Sequence, residues 1–383
     1  MIPTTRPFLD SSDLRILKNV ISSKILVDGI YQEKVEKIIK KKINSRFIAV
    51  TQSCTDALEI SAILLNLKKD DEVIMPSYNF VSMANAIFLR GAKPVFVDVD
   101  SDTLNIKVDE IEKAITKRTK AIFVVHYAGN ACNMSEIIKI KNKYKLTLVE
   151  DCAHSLFAKH KNKYLGTIGD IGVFSFHETK NFVSGQGGAI SINNVKLIKR
   201  TNFILDKGTD RKDVINNNKK IVDEKNNKKF YSWVDIGSEY RLDELRCAIL
   251  YNQLNKADYI KKKRKKLYSN YCEILKEYKN KDFFDIIKVP ENSESSYHLM
   301  ILIFKKEIIA RKFRKFLQSK NIAATFHYIP LHLSKMGRKF YKKKIKNTER
   351  IYKNIVRMPF YTDMNNKDFF IIKKNIQDFF KKY

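Results

Sequence analysis

The chain has 383 residues, is 44% hydrophobic and carries a formal net charge of +31. That length suits one large domain and a smaller one, while the lack of any apolar run of about 18 residues excludes a membrane-spanning helix and the start Met-Ile-Pro-Thr-Thr-Arg-Pro lacks the apolar core of a signal peptide. The charge admits nucleic acid, an anionic membrane or an anionic substrate as partner, but lysine is spread along the whole chain with Asn and Ile and no nucleic-acid module accompanies it, so it reads as compositional bias.

Strand-like runs alternate with helical periods up to about residue 190. Phe47 to Val50 reads as a strand and Ala57 to Leu67 as a helix. Glu72 to Met75 is a short strand closed by Pro76, and Val81 to Leu89 is helical. Pro94 to Asp98 and Ala121 to Val125 are strands. A helix around Ser135 to Tyr144 leads to the strand Leu146 to Glu150. This rhythm predicts a mostly parallel sheet covered by helices. Residues 156–168 read as a hairpin around Lys161-Asn162-Lys163. Gly172 to Phe176 and Ala189 to Ile192 add two more strands. Arg211 to Lys229 is polar and reads as an insertion. One long helix is expected from about Asp243 into the cluster Lys261 to Lys266, which reads as a solvated face. The rest, including a strand at Met300 to Phe304, predicts a small α+β unit, with the boundary at 245: residues 1–245, then 246–383.

The five cysteines, Cys54, Cys132, Cys152, Cys247 and Cys272, are odd in number, scattered and free of any C-x-x-C pair. Disulfides and a metal site are therefore not expected, and a reducing cytoplasm is.

Four short segments carry chemistry. Val50-Thr51-Gln52-Ser53-Cys54-Thr55 is a strand that breaks into small polar residues before a helix; such a helix start binds phosphate, although simple capping by Ser53 or Thr55 explains it as well. In Leu148-Val149-Glu150-Asp151-Cys152-Ala153-His154, an acid ends a parallel strand, where ligand crevices of open sheets lie. In Phe174-Ser175-Phe176-His177-Glu178-Thr179-Lys180, a lysine follows an apolar strand and could be buried and nucleophilic. Gly185-Gln186-Gly187-Gly188 permits close backbone approach. Each signal is weak alone, and a lysine among 73 basic residues is ordinarily solvated. In this order, with Phe80 after a strand, they match the needs of pyridoxal 5'-phosphate: an acid for the pyridine nitrogen, a lysine for covalent attachment and proton transfer, and a phosphate cup.

The chain resembles the DegT/DnrJ/StrS family of sugar-nucleotide aminotransferases from Pro3 to about Phe360. The matching runs are Asp71 to Ser77, Leu89 to Lys93, Val125 to Gly129, Phe174 to Asn181 and Phe326-His327-Tyr328-Ile329-Pro330-Leu331-His332. The resemblance implies a type I fold of pyridoxal-phosphate-dependent transferases, with a seven-stranded type of sheet in the large domain, and a homodimer with shared active sites. It implies that Lys180 bonds to the cofactor and that Asp151 pairs with the pyridine nitrogen. His154 would bond the ring hydroxyl; Cys54, Thr55 and Ser175 would hold the phosphate; Phe80 would stack on the ring; His327 and Tyr328 would lie near the sugar. The run Phe176-His177-Glu178-Thr179-Lys180-Asn181 is most like members that convert dTDP-4-keto-6-deoxyglucose, with L-glutamate, to dTDP-4-amino-4,6-dideoxygalactose for enterobacterial common antigen and O-antigen. Other keto sugar nucleotides, and from another class a non-catalytic nucleic-acid-binding protein, are the alternatives. His126, His298 and His332 are read mainly as structural. Two departures stand out: Gln186 replaces a usual Glu, and Glu239 occupies the place of an Asn that reaches the partner's phosphate. A carboxylate would be repelled there.

Overall fold

The structure is a computed structural model and describes residues 1–216 and 230–382. The strands are β1 (Phe47–Thr51), β2 (Glu72–Pro76), β3 (Lys93–Val97), β4 (Thr119–Val125) and β5 (Thr147–Asp151), then the short β6 (Lys159–His160) and β7 (Lys163–Tyr164), followed by β8 (Ile171–Ser175) and β9 (Gly188–Ile192). Further on come β10 (Phe284–Ile286), β11 (Ser293–Glu294), β12 (Ile301–Phe304) and β13 (Ile355–Arg357).

Seven strands form the main sheet in the order β1-β9-β8-β5-β4-β2-β3. Pairings among β8, β5, β4, β2 and β3 are parallel; β9 runs antiparallel to both β1 and β8. Side chains alternate across these strands, as a pleat requires. Ile48, Val50, Leu148 and Phe174 enter one core with the helices Ile30–Ile43, Met134–Lys143 and Glu244–Asn255. Ala49, Val149, Val173 and Ile190 enter the other, under Cys54–Leu64, Val81–Phe88 and Ile198–Leu205. Both faces being buried explains why the strands read as nearly continuous apolar runs.

A second sheet, β10-β12-β13, is backed by the amphipathic helices Glu307–Ser319 and Asn366–Phe380 around Phe304, Phe313, Phe379 and Phe380. Ile2 joins this core through a bridge to Ile322. A third group of buried residues ties the two parts together: Tyr78, Tyr127 and Ala128 from main-sheet loops meet Leu299, Ile301 and Ile355.

Three expectations are refined. The long helix is two helices, Glu244–Asn255 and Ala257–Asn280, broken at Lys256. Leu254 before the break and Ala257 and Ile260 after it enter the same core, and the Lys256 ammonium bonds Asp10 at 2.7 Å. Within the basic cluster, Lys262, Lys263, Lys265 and Lys266 are exposed but Arg264 is buried, because its position falls on the inward stripe with Ile260 and Leu267. Of the segment expected to be an insertion, Arg211–Asn216 is helical, and 217–229 lie outside the described residues.

Candidate active site

The carboxyl ends of β1, β2, β4, β5 and β8 and the start of β9 surround a cavity of about 620 Å³. All nine residues singled out above line it: Cys54, Thr55, Phe80, Asp151, His154, Ser175, Lys180, His327 and Tyr328.

The phosphate-cup segment serves two purposes. Ser53 caps the helix, accepting the Asp56 N–H at 3.1 Å. Its hydroxyl is thus committed, as the capping reading held, while the first helical N–H groups keep no intrahelical partner. Thr55 Oγ1 sits 2.8 Å from Ser82 Oγ. Gly188 runs so close that a Cβ there would lie 2.4 Å from the Cys54 nitrogen. Only glycine lets β9 back this turn.

Asp151 ends β5 and is buried; its Oδ1 accepts the Ala153 N–H at 2.9 Å. Burial raises its pKa, against the opposing pull of that bond and of Lys180. Lys180 lies in the loop between β8 and β9. The loop is braced by backbone bonds of Phe176 to Gly187, Glu178 to Gly185, Lys180 to His177 and Ser184 to Phe176, each 2.8 Å. Part of Lys180 opens to the cavity, but its surroundings strip its amine of water and lower its pKa, with Asp151 opposing. A lower pKa means more neutral, nucleophilic amine at a given pH. Reloading of the cofactor-free protein with pyridoxal phosphate should accelerate as pH rises, with a midpoint below the ordinary lysine value of 10.5. Stopped-flow absorbance across pH checks this; a midpoint at or above 10.5 refutes it.

His154 is buried and its pKa falls well below normal, mainly through loss of water and then the charge of Lys180. The Ala128 N–H donates to its Nδ1 at 3.3 Å. The neutral ring therefore carries its proton on Nε2, ready to donate to an acceptor in the cavity. Its ring stacks on His298 at 4.3 Å. His298 Nδ1 is 2.8 Å from Asn181 Oδ1, and the buried Arg264 bonds the carbonyls of Tyr297 and His298 at 2.8 and 2.6 Å.

Across the cavity, Phe80 is 56% exposed and faces Tyr328 with ring centres 6.1 Å apart. His327 Nδ1 meets Tyr127 Oη at 2.6 Å, and the Tyr78 hydroxyl donates to the His327 carbonyl. Tyr328 has φ +60°, a left-handed conformation rarely held by a bulky residue.

The histidines divide. His126 is in the core, 3.0 Å from Glu150, and His332 is 2.6 Å from Ser77; neither lines the cavity, whereas His298 does. Glu150, next to Asp151 in sequence, points to the other core; its oxygens accept from the N–H groups of Gly166, Ile168 and Gly169. Gln186 lines the cavity. Glu239 is ion-paired with Lys207 and does not line it. His298, read from the sequence as mainly structural, lines the cavity, as do Asn79, Ser82 and Arg357, which were not singled out. Only the position of Asn79 beside Phe80 hinted at it.

The model of the DegT/DnrJ/EryC1/StrS aminotransferase family matches residues 7–377. The chain belongs to this family. It is 29% identical to the UDP-4-amino-4,6-dideoxy-N-acetyl-beta-L-altrosamine transaminase of Campylobacter jejuni (strain 81-176), over 100% of this chain and 98% of that one. It is 29% identical to the GDP-perosamine synthase of Escherichia coli O157:H7, over 99% and 98%. Among solved structures, Helicobacter pylori PseC, an aminotransferase involved in the biosynthesis of pseudoaminic acid, superposes with a TM-score of 0.89 at 25% identity, covering 100% of both chains. This aminotransferase has the type I fold and uses pyridoxal phosphate on sugar-nucleotide substrates. That sets aside the nucleic-acid-binding alternative. The cavity suits the cofactor: a buried acid, an amine with lowered pKa and a helix start share it. Among the described residues, no helix is long and apolar enough to cross a membrane.

Proposed function

We propose that this aminotransferase moves the amino group of L-glutamate to C4 of dTDP-4-keto-6-deoxy-D-glucose, giving dTDP-4-amino-4,6-dideoxy-D-galactose and 2-oxoglutarate. The observation that carries the chemistry is the sharing of one cavity by Lys180, Asp151 and the start of the helix Cys54–Leu64. When bound, pyridoxal phosphate supplies an electron sink that makes a C–H bond next to nitrogen acidic. Lys180 holds the cofactor, then takes a proton through its neutral amine and returns it at the sugar carbon. Asp151, as carboxylate, keeps the pyridine nitrogen protonated. His154 donates its Nε2–H to the ring hydroxyl. Cys54, Thr55 and Ser175 hold the phosphate, Phe80 covers the ring, and His327 and Tyr328 meet the sugar. The two half-reactions alternate in one cavity, so kinetics are ping-pong.

The same reading includes a homodimer with shared sites and the division into 1–245 and 246–383. Exposed apolar residues support the dimer, among them Leu14, Ile21, Val27 and Trp233, the last 78% exposed. The separate core around Phe304 and Phe313 supports the division. Five free cysteines support a reducing cytoplasm as its setting.

The dTDP substrate rests on the run Phe176 to Asn181. A second reading, a UDP- or GDP-linked keto sugar, is favoured by the names of the Campylobacter and Escherichia relatives. Incubation with each nucleotide sugar and glutamate ranks them by kcat/KM. With the dTDP sugar, the expected product shows a small H3–H4 coupling by NMR, because the amine is axial. A large trans-diaxial coupling would sink the galacto assignment, and preference for a UDP or GDP sugar would establish the second reading.

A further inference from the structure

Asn181 follows Lys180, and its side chain reaches from the lysine loop to the segment Ser295 to His298. That segment is held from two sides. The Ser296 N–H donates to the Gly129 carbonyl at 3.2 Å, and the His298 N–H to the Ala128 carbonyl at 3.1 Å. The Ser296 hydroxyl donates to the His154 carbonyl at 2.5 Å. The approach is so close that a Cβ on Gly129 would lie 2.1 Å from Ser296 Oγ. From the other side, the Arg264 guanidinium donates to the carbonyls of Tyr297 and His298 and, at 3.3 Å, to Thr362 Oγ1. The His298 ring is thereby placed on the His154 ring, with centres 4.3 Å apart and planes 29° from parallel.

The hydrogen bonds also fix the protons. Asn181 Nδ2 donates to the Ser296 carbonyl at 2.8 Å, so the Asn181 atom that meets His298 Nδ1 is the oxygen, an acceptor. His298 therefore carries its proton on Nδ1. His154 is the reverse: its Nδ1 accepts from Ala128, and its proton is on Nε2. Two neutral rings of opposite tautomer are stacked at the cavity wall. A second proton on His154 Nδ1 would face the Ala128 N–H, and the charges of Lys180, His327 and Arg357 oppose it. His298 lies between His154 and Arg264; both disfavour its cation, as do Lys180 and Arg357.

A ring with open space on one side turns about its side-chain bonds unless a contact blocks it. The 3.3 Å bond from Ala128 is long and by itself holds His154 loosely. Tyr127 and His327 stand farther off, with ring centres at 5.9 and 6.1 Å. The flat face of His298 supplies the closest ring contact.

We propose that His298 is a positioning residue: its ring, locked by Asn181, fixes the plane and the tautomer of His154 and so aims the His154 Nε2–H at the ring hydroxyl of pyridoxal phosphate. The proposal rests on the reading of His154 as the partner of that hydroxyl. Because Asn181 adjoins Lys180, one hydrogen-bonded segment sets the lysine loop and the His154 donor in register.

The test uses the full-length protein with and without pyridoxal phosphate. Without it, long-range proton–nitrogen NMR of isotope-labelled histidines reads charge and tautomer directly. In the wild type, His154 should be neutral with its proton on Nε2, and His298 neutral with its proton on Nδ1, across about pH 6 to 8. His298→Asn keeps a donor for Asn181 but removes the ring; His154 should then mix tautomers or take up a proton within that range. His298→Phe keeps the ring face and should leave His154 as in the wild type. With the cofactor bound, the pH midpoint of its visible band is the second readout. A donor bonds the ring oxygen more strongly once the neighbouring linkage to Lys180 has lost its proton, so loss of aim raises the midpoint. His298→Asn should raise it by about one unit, the worth of one hydrogen bond, and His298→Phe by less than about 0.3 unit. His154→Ala sets the full effect. A merely structural role would lower the unfolding temperature and move neither readout. The assignment is overturned if wild-type His154 carries its proton on Nδ1, if His298→Asn leaves His154 and the midpoint unchanged, or if His298→Phe moves them as far as His298→Asn. If His154→Ala leaves the midpoint unchanged while His298→Asn still alters the His154 tautomer in the cofactor-free protein, the ring-hydroxyl reading fails and the hold of His298 on His154 stands.

Discussion

Lys180→Ala is expected to cut turnover by about 10⁴-fold or more, because it removes both the covalent hold on the cofactor and the base that moves the proton; the proton transfer alone contributes about 10²- to 10⁴-fold. The variant should also lose the cofactor's visible absorbance on dialysis. Its fold should survive: the loop is held by backbone bonds of Phe176, Glu178, Lys180 and Ser184, none of which needs the lysine side chain. Withdrawing the ammonium from water already works against folding, so circular dichroism and thermal unfolding should match or slightly exceed the parent. Lys180→Arg should be equally inactive, since a guanidinium does not give up its proton. A variant that kept both its absorbance and full transaminase turnover would refute the central assignment.

Glu150→Ala is expected to lose about 3–5 kcal/mol of stability, the range for stranding the partners of a buried charge. Glu150 is fully buried. It accepts N–H bonds from Gly166 at 3.0 Å, Ile168 at 2.8 Å and Gly169 at 2.6 Å, and lies 3.0 Å from His126 Nε2. Truncation leaves all four groups without an acceptor in a region closed to water. Urea unfolding of the loaded enzyme measures the loss; a change under about 1 kcal/mol would show that the turn before β8 is held by other contacts. Glu150 and Asp151 are adjacent acids on one strand, and the pleat sends them to opposite faces. One pins a turn beneath the sheet and the other faces the cavity.

Much of the main sheet was legible because each strand carries its own signal. The runs at Phe47, Glu72, Ala121 and Gly172 are apolar, short and bounded by turn residues, and each became a strand within a residue or two. The nine singled-out residues were legible for another reason. Seven of them stand within three positions of a strand end or inside a matching run, and parallel strands deliver such positions to a common crevice. Lys180 needed its neighbours: alone among 73 basic residues its default was solvent.

Other features have no local mark. Arg264 stands inside six consecutive basic residues, where the expectation of a solvated face is sound for the four exposed lysines. Only the contact of its helix with the small core turned that one side chain inward, to the carbonyls of Tyr297 and His298. The break at Lys256 likewise has no local mark, since nothing in Gln253-Leu254-Asn255-Lys256 stops a helix; the Lys256 side chain there pairs with Asp10, 246 positions away. Arg357 stands inside the apolar run Ile355-Val356-Arg357-Met358, and its place in the cavity exists because β13 pairs with β12 and Thr325.

By itself, then, the sequence determined the alternation of strands and helices, the burial of both sheet faces and the company of Asp151 and Lys180, since periodicity, chain direction and strand ends are local properties. Tertiary structure alone decided which of two adjacent acids meets the cavity, which basic residues leave solvent and how far the C-terminal segment completes the site. Those outcomes depend on packing between residues hundreds of positions apart, and burial of a charge is set by what surrounds it, which its sequence neighbours do not specify.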